Sequence, residues 1–231
     1  EKCLVSSDCT QATSWIAAGT NPWTGAGDNL DGNFDLILLP MASGNIMLVA
    51  DDVALEDIEY NIYNDSTNSW SANFTDIDTN APDSTTLTFT LSGTVSKITN
   101  KLYVSYVANV GVANTSEIRA WKYQNGSWVQ LTDPWPDTTD GASIINDASI
   151  GINENTQDIY VAYARDPTND ATANGNVYRA YSKNGGLTWR ADELISDGTT
   201  GDMRGSSIVG SSNERLYGVW YNPTPDDIFG N

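Results

Sequence analysis

The chain of 231 residues carries 30 Asp and Glu against 11 Lys and Arg, a formal net charge of -19, and it has no histidine. So acidic a surface repels phosphate backbones and anionic lipid, which argues against nucleic-acid binding and membrane adsorption. The missing His removes the commonest neutral-pH general base, the usual zinc ligand and any Ser-His-Asp triad, while 39% hydrophobic residues, with 8 Trp and 11 Tyr, suffice for a packed core.

In chain order, residues 3–5 and 14–18 read as short β-runs, with Cys3 and Cys9 spaced either to staple the turn between them or to stand as reduced thiols. Glu1 stands where a Met would begin a nascent chain, and the longest aliphatic run, Leu36-Ile37-Leu38-Leu39, stops at Pro40, so a processed product without signal peptide or membrane span is expected. Trp23 follows a proline in the next linker. Asp28, Asp31 and Asp35 then flank Gly32, a spacing that suits calcium, a hard cation held by six to eight oxygens, or else a solvated turn. Four β-runs follow at residues 33–39, 45–51, 57–63 and 69–75, four more at 86–91, 101–108, 117–123 and 127–131, and four at 148–153, 158–165, 176–183 and 188–195. Trp135, between two prolines, sits with Asp133, Asp137 and Asp140 in the linker before the third set. Two runs at 206–210 and 215–221 end the pattern, and no capped 3.6-residue stripe predicts a helix. N-x-S/T sequons stand at Asn64, Asn73, Asn114 and Asn125 and mark glycan acceptors in a secreted chain.

These sets are copies of one unit. Met47, Tyr103, Tyr160 and Tyr217 hold one phase and Trp15, Trp70, Trp128 and Trp189 another, both with a period of about 57 residues. Repeated four-stranded antiparallel units of this length predict an all-β propeller of about four blades, over residues 33–78, 84–133, 143–196, and 206–231 completed by 1–20. The last blade is split between the chain ends. It can close within one molecule, pair head to tail between molecules, or belong to a window of a larger propeller.

Ser182-Lys183-Asn184-Gly185-Gly186-Leu187-Thr188-Trp189 resembles the Asp-box, or BNR repeat, of sialidase-like β-propellers, S-x-D-x-G-x-T-W, with Asn184 at the usual Asp position. Ser6-Ser7-Asp8 with Thr13-Ser14-Trp15 is a looser copy, and Asn68-Ser69-Trp70 and Asn125-Gly126-Ser127-Trp128 keep its hairpin end. The resemblance implies a propeller in which Ser182, Asn184, Gly186, Thr188 and Trp189 are structural: a short polar side chain bonds the turn backbone, Gly takes a positive φ and Trp packs between sheets. For an enzyme of that family it would imply an arginine triad, a Tyr nucleophile paired with Glu and an acid Asp. Those residues do not carry over. Arg119 and Arg179 read as equivalent third-strand positions, Arg190 begins a fourth strand and Arg215 a second, only Arg204 lies near an innermost strand, and there is no Arg-Ile-Pro motif.

Asp147, Glu154 and Asp158 are candidate acid–base carboxylates or solvated loop acids. Trp23 and Trp135 either stack on sugar rings or pack between blades. The function expected is that of a secreted, glycosylated, non-catalytic module of a cell-surface or filamentous assembly. Calcium is its candidate ion, glycans are candidate ligands, and the split blade is a route to head-to-tail self-association. The alternative is a secreted glycoside hydrolase or lyase on the same fold, or a glycan-binding module.

Overall fold

Period-2 alternation of apolar and small residues builds strands throughout the described part of the chain. The computed structural model describes residues 2–3, 10–11, 15–17, 35–52, 57–79, 91–109, 116–135, 144–166, 175–196, 204–210, 216–222 and 227–230, and no helix occurs among them. A short ribbon pairs β1 (Lys2–Cys3) with β2 (Trp15–Ile16). The first blade holds β3 (Leu36–Pro40), β4 (Ile46–Asp52), β5 (Asp57–Asn64), β6 (Ser69–Trp70) and β7 (Thr75–Asp78). The second holds β8 (Ser92–Val95), β9 (Leu102–Asn109), β10 (Ser116–Gln124) and β11 (Ser127–Gln130). The third holds β12 (Ile144–Ile152), β13 (Ile159–Asp166), β14 (Asn176–Ser182) and β15 (Arg190–Leu194), and a last sheet holds β16 (Arg204–Gly210), β17 (Leu216–Asn222) and β18 (Asp227–Gly230).

Every pairing is an antiparallel meander with the first strand at one edge. The first strands β3, β8, β12 and β16 lie side by side and so form the inner arc. Polar side chains tie this arc together. Leu91 N–H donates to Asp35 Oδ2 (3.2 Å) between the first two blades, and Ile150 N–H donates to Ser92 Oγ (3.1 Å) between the next two. The turns after the second and third first strands repeat one closure, Ser96 N–H to Lys101 O and Asn153 N–H to Asp158 O, each 2.9 Å. Gln157 takes φ 61° in the later turn, a conformation costly for a residue with a Cβ. Its side chain offsets that strain: Oε1 accepts from Ser96 Oγ (2.8 Å) and Glu154 Oε1 accepts Lys97 N–H (2.9 Å), joining the two turns across the blade boundary.

The strands differ from the expected runs in three places. In the second blade the described inner strand is Ser92–Val95, which follows the expected run 86–91, of which only Leu91 is described. Its small Ser92, Gly93 and Thr94 allow close approach, since a Cβ on Gly93 would stand 2.5 Å from Ile37 Cδ1. The expected run 69–75 is broken into β6 and β7, and both pair with β5. Finally, the split sheet is not formed among the described residues: β17 takes β18 as its further partner, and the β1–β2 ribbon is a sheet of its own. A neighbouring hairpin partner costs little loop-closure entropy, whereas the opposite chain end must close a loop of most of the chain.

Side chains interdigitate between adjacent blades. Met47, Val49 and Ile58 of the first blade meet Leu102, Val104 and Tyr106 of the second. Tyr103, Val107 and Ile118 meet Ile150, Val161 and Tyr163 of the third, and Val177 meets Trp220 of the last. Each fully buried Val, Ile or Leu contributes about 1.5–3 kcal/mol. The two outermost faces differ. Val219 is 48% exposed although the register places it where Val49, Ser105 and Ala162 are buried, and Leu38 is 60% exposed where Ile150 is buried.

Candidate functional site

Equivalent seam positions receive different residues, and that difference marks the site. At the outer end of each sheet, Asp78 at the end of β7 stands opposite Ile58, Trp135 past β11 opposite Ile118, and Ser196 past β15 beside Val177. The following blade presents Tyr106, Tyr163 or Trp220 from the same point of its second strand. In the second seam the result is apolar packing. Trp135 lies 6.0 Å from Tyr163, Tyr163 stacks on Tyr178 at 5.9 Å, and the Arg165 guanidinium lies 4.3 Å from the Trp135 ring centre. Trp135 is therefore core, buried between blades, and not a platform for sugar.

In the first seam the same positions hold a polar cluster. Tyr106 O–H donates to Asp78 Oδ2, and Trp121 Nε1–H donates to Tyr106 Oη at 3.0 Å. Arg119 donates from Nη1 to Asp78 Oδ2 (2.9 Å) and from Nε to Glu117 Oε1 (2.6 Å). Glu117, Arg119 and Trp121 share one face of β10 because strand side chains alternate. The neighbouring seam fills the same positions by packing, without such a cluster. Desolvating charges is costly, so a partly buried ionic network is weak evidence of a stabilising role and better evidence of a functional one.

Burial pushes the Tyr106 hydroxyl well above its ordinary range, and the Asp78 charge adds to this. For Arg119 burial acts to lower the pKa, but the hydrogen bonds it donates to Asp78 and Glu117 outweigh this and hold the guanidinium firmly charged. Asp133, in the linker after β11, is raised to about 6 by burial and then by the Glu117 charge. The cluster opens into a cleft of about 540 Å³ lined by Asp76, Asp78, Thr79, Arg119, Trp121 and Gln130. It stands outward of the inner strands. A guanidinium held by two carboxylates and an aromatic wall line this cleft, and the raised Asp133 carboxyl interacts with the same charges, groups of the kind that serve acid–base chemistry on a polar substrate.

The other expected site residues disperse. In the Ser182–Trp189 turn, Gly186 N–H donates to Ser182 Oγ (2.8 Å), Thr188 N–H to Asn184 Oδ1 (3.0 Å) and Asn184 Nδ2 to Thr188 Oγ1 (2.8 Å). Gly185 and Gly186 have φ 72° and 88°. Trp189 donates from Nε1 to Thr132 O, and Thr132 N–H to Gly186 O (3.0 Å), so this turn clips the third blade to the second. Trp70, Trp128 and Trp189 are half-buried rather than buried, and Trp189 precedes its fourth strand instead of lying in it.

Asp35 caps Leu91, as above, while Asp28, Asp31, Trp23, Cys9 and Asn114 lie outside the described residues. Cys3 lies in β1. Asn73 and Asn125 are exposed and Asn64 is half-buried, its Oδ1 accepting Ser66 N–H (3.0 Å). Asp147 sits beside a bulge in β12, about 17 Å along the strand from the turn that holds Glu154 and Asp158, too far for an acid–base pair across one bond.

Arg119 and Arg179 are not equivalent. Arg119 pairs with Tyr106, but Arg179 pairs with Ala162, whose counterpart is Ser105, so the two guanidinium groups leave opposite blade faces. Arg179 instead meets exposed Glu193 at 2.9 Å. Sequence reasoning missed Asp78, Tyr106, Glu117 and Trp121. The signal was the alternating Glu117-Ile118-Arg119, charged where the third unit has Asn176-Val177-Tyr178.

No protein-family model and no curated protein matches the sequence. Among solved structures, a Hadza microbial sialidase aligns with a TM-score of 0.58 at 11% identity, over 86% of this chain and 44% of its own. The fold is a sialidase-like β-propeller fold. A Penicillium chrysogenum α-L-arabinanase complexed with arabinobiose aligns with a TM-score of 0.58 at 13% identity, over 85% of this chain and 60% of that one. A Fusarium graminearum α-L-arabinofuranosidase aligns with a TM-score of 0.57 at 16% identity, over 87% and 61%. The chain thus spans 44% to 61% of the length of these propellers.

Proposed function

We propose that this propeller belongs to a secreted glycoside hydrolase or lyase and that the cleft between its first two blades binds and works on sugar. The Tyr106–Asp78–Arg119–Glu117 cluster carries the reading, because it replaces plain packing at a repeat position and reaches an open cleft through Asp78 and Arg119. The fold shared with solved glycosidases supports it. In this reading Asp133 is the proton donor, Glu117 the second carboxylate, and Arg119 holds both Glu117 and Asp78 in place. The Ser182–Trp189 turn serves as the Asp-box of the type. The Cys3–Cys9 bridge, the glycans at Asn64, Asn73, Asn114 and Asn125, and calcium at Asp28, Asp31 and Asp35 accompany the same extracellular setting.

The test is product release from a panel of aryl glycosides, arabinan and uronate polysaccharides, read as reducing ends or as the ultraviolet absorbance of unsaturated sugar. Turnover on one member is expected to fall about 100-fold or more in Asp133→Asn, the loss typical of a removed general acid. Silence across the panel overturns the reading. The second reading, a non-catalytic module associating head to tail, is favoured by one observation, the exposed apolar faces at Leu38 and Val219.

A further inference from the structure

The seam cleft also selects by charge, an inference that rests on the carbohydrate reading above. Capture of a carboxylate calls for a guanidinium fork turned toward the ligand. Arg119 is the one cation among the cleft's lining residues, and its Nε and Nη1 donors are turned to Glu117 and Asp78. Asp76 and Asp78 line the same cleft, Glu117 pairs with Arg119, and the charge of Asp133 is felt by Glu117, Arg119 and Asp78. Among the described lining residues, an anionic sugar entering there meets two carboxylates and a guanidinium whose Nε and Nη1 are already engaged.

An uncharged sugar meets a different surface. Trp121 lends a half-buried indole whose N–H is spent on Tyr106, leaving its ring to the apolar face of a sugar. Thr79, Gln130 and exposed Asp76 supply hydroxyl, amide and carboxylate partners for sugar hydroxyls. A volume of about 540 Å³ lies within the range of small-ligand sites. We infer that the cleft takes uncharged, hydroxyl-rich sugars and rejects sugars bearing a carboxylate.

The experiment measures binding, apart from turnover, by calorimetric titration of the whole chain at pH 7 and low salt. Arabino-oligosaccharides and xylo-oligosaccharides are the uncharged probes, and sialyllactose and oligogalacturonate the carboxylated ones. The uncharged probes are expected to bind about tenfold or more tightly than the carboxylated ones, and Trp121→Ala to weaken them by about tenfold. Asp76→Lys, a change on the exposed rim that leaves the seam packing alone, is expected to narrow the discrimination. Tighter binding of the carboxylated probes overturns the inference, as does uncharged binding that neither variant changes. In both cases turnover on the glycoside panel still stands or falls by itself. Absence of binding by every probe overturns the inference too, and with a silent panel it removes the carbohydrate reading as well.

Discussion

Asp133 shows how one side chain links the site to stability. Its carboxyl titrates at about 6 in the folded chain against an ordinary 3.8, so the folded chain keeps a proton that the unfolded chain releases earlier. The stability associated with this group is fully present below about pH 4 and is lost as pH rises through about 6. Asp133→Asn is therefore expected to match the parent in acid and to exceed it above pH 6. The full linkage is about 3 kcal/mol, reduced to about 1 kcal/mol for a group only half buried. Urea titrations at pH 4 and pH 7 check this, and equal stabilities at pH 7 contradict it. The same substitution should lower activity, the usual exchange of function for stability. Gly186 is a second residue with no slack: its φ is 88°, and a Cβ would stand 2.6 Å from Leu131 Cδ1. Gly186→Ala is expected to cost about 2 kcal/mol or more, read as a lower denaturation midpoint with an unchanged slope.

At the scale of elements, hairpin ends act as clips between blades. Trp128, on β11, lies 5.3 Å from Tyr123 of its own sheet and 6.1 Å from Tyr60 of the blade before. Trp189 reaches Thr132 of its preceding blade in the corresponding way. The intervening turn at Asn125-Gly126, with φ 55° and 86°, is a two-residue connection whose twist suits paired strands. Because Trp128 is half-buried, Trp128→Ala is expected to cost about 2 kcal/mol, less than the 3–5 typical of a fully buried aromatic. Thermal melting decides it, and a loss near zero would show that Tyr60 and Tyr123 pack without it. Register matters as much as packing here, since the offset of one residue between Arg119 and Arg179 sends one into the cleft cluster and the other to a surface pair with Glu193.

For the whole molecule, the open ends of the arc are the feature with the largest consequence. Leu36 and Leu38 at one end and Tyr217 and Val219 at the other are exposed apolar residues on the two half-surfaces that inside the arc make a seam. A second copy can supply the missing half at each end, which is a head-to-tail contact. Association that rises with concentration is expected in sedimentation or native mass measurements, and Leu38→Glu or Val219→Glu should abolish it. A parent protein that stays monomeric up to high micromolar concentration removes this prediction.

The repeat of about 57 residues, the alternation inside each run and the Gly- and Asn-rich turns were enough to read an all-β propeller with strands at their places, because those features depend on neighbours along the chain. The added β18 sits where the pattern was taken to end, and of the expected run 86–91 only Leu91 is described. The candidate site was not legible. Asp78, Tyr106 and Arg119 come from two blades and meet only through the seam, and whether a linker residue such as Trp135 is a sugar platform or core depends on what the next blade places over it. Local sequence determined the strands and the turns that join them. Which side chains face one another across a seam was decided by the tertiary structure alone, since a shift of one residue in pairing turns a side chain to the opposite face.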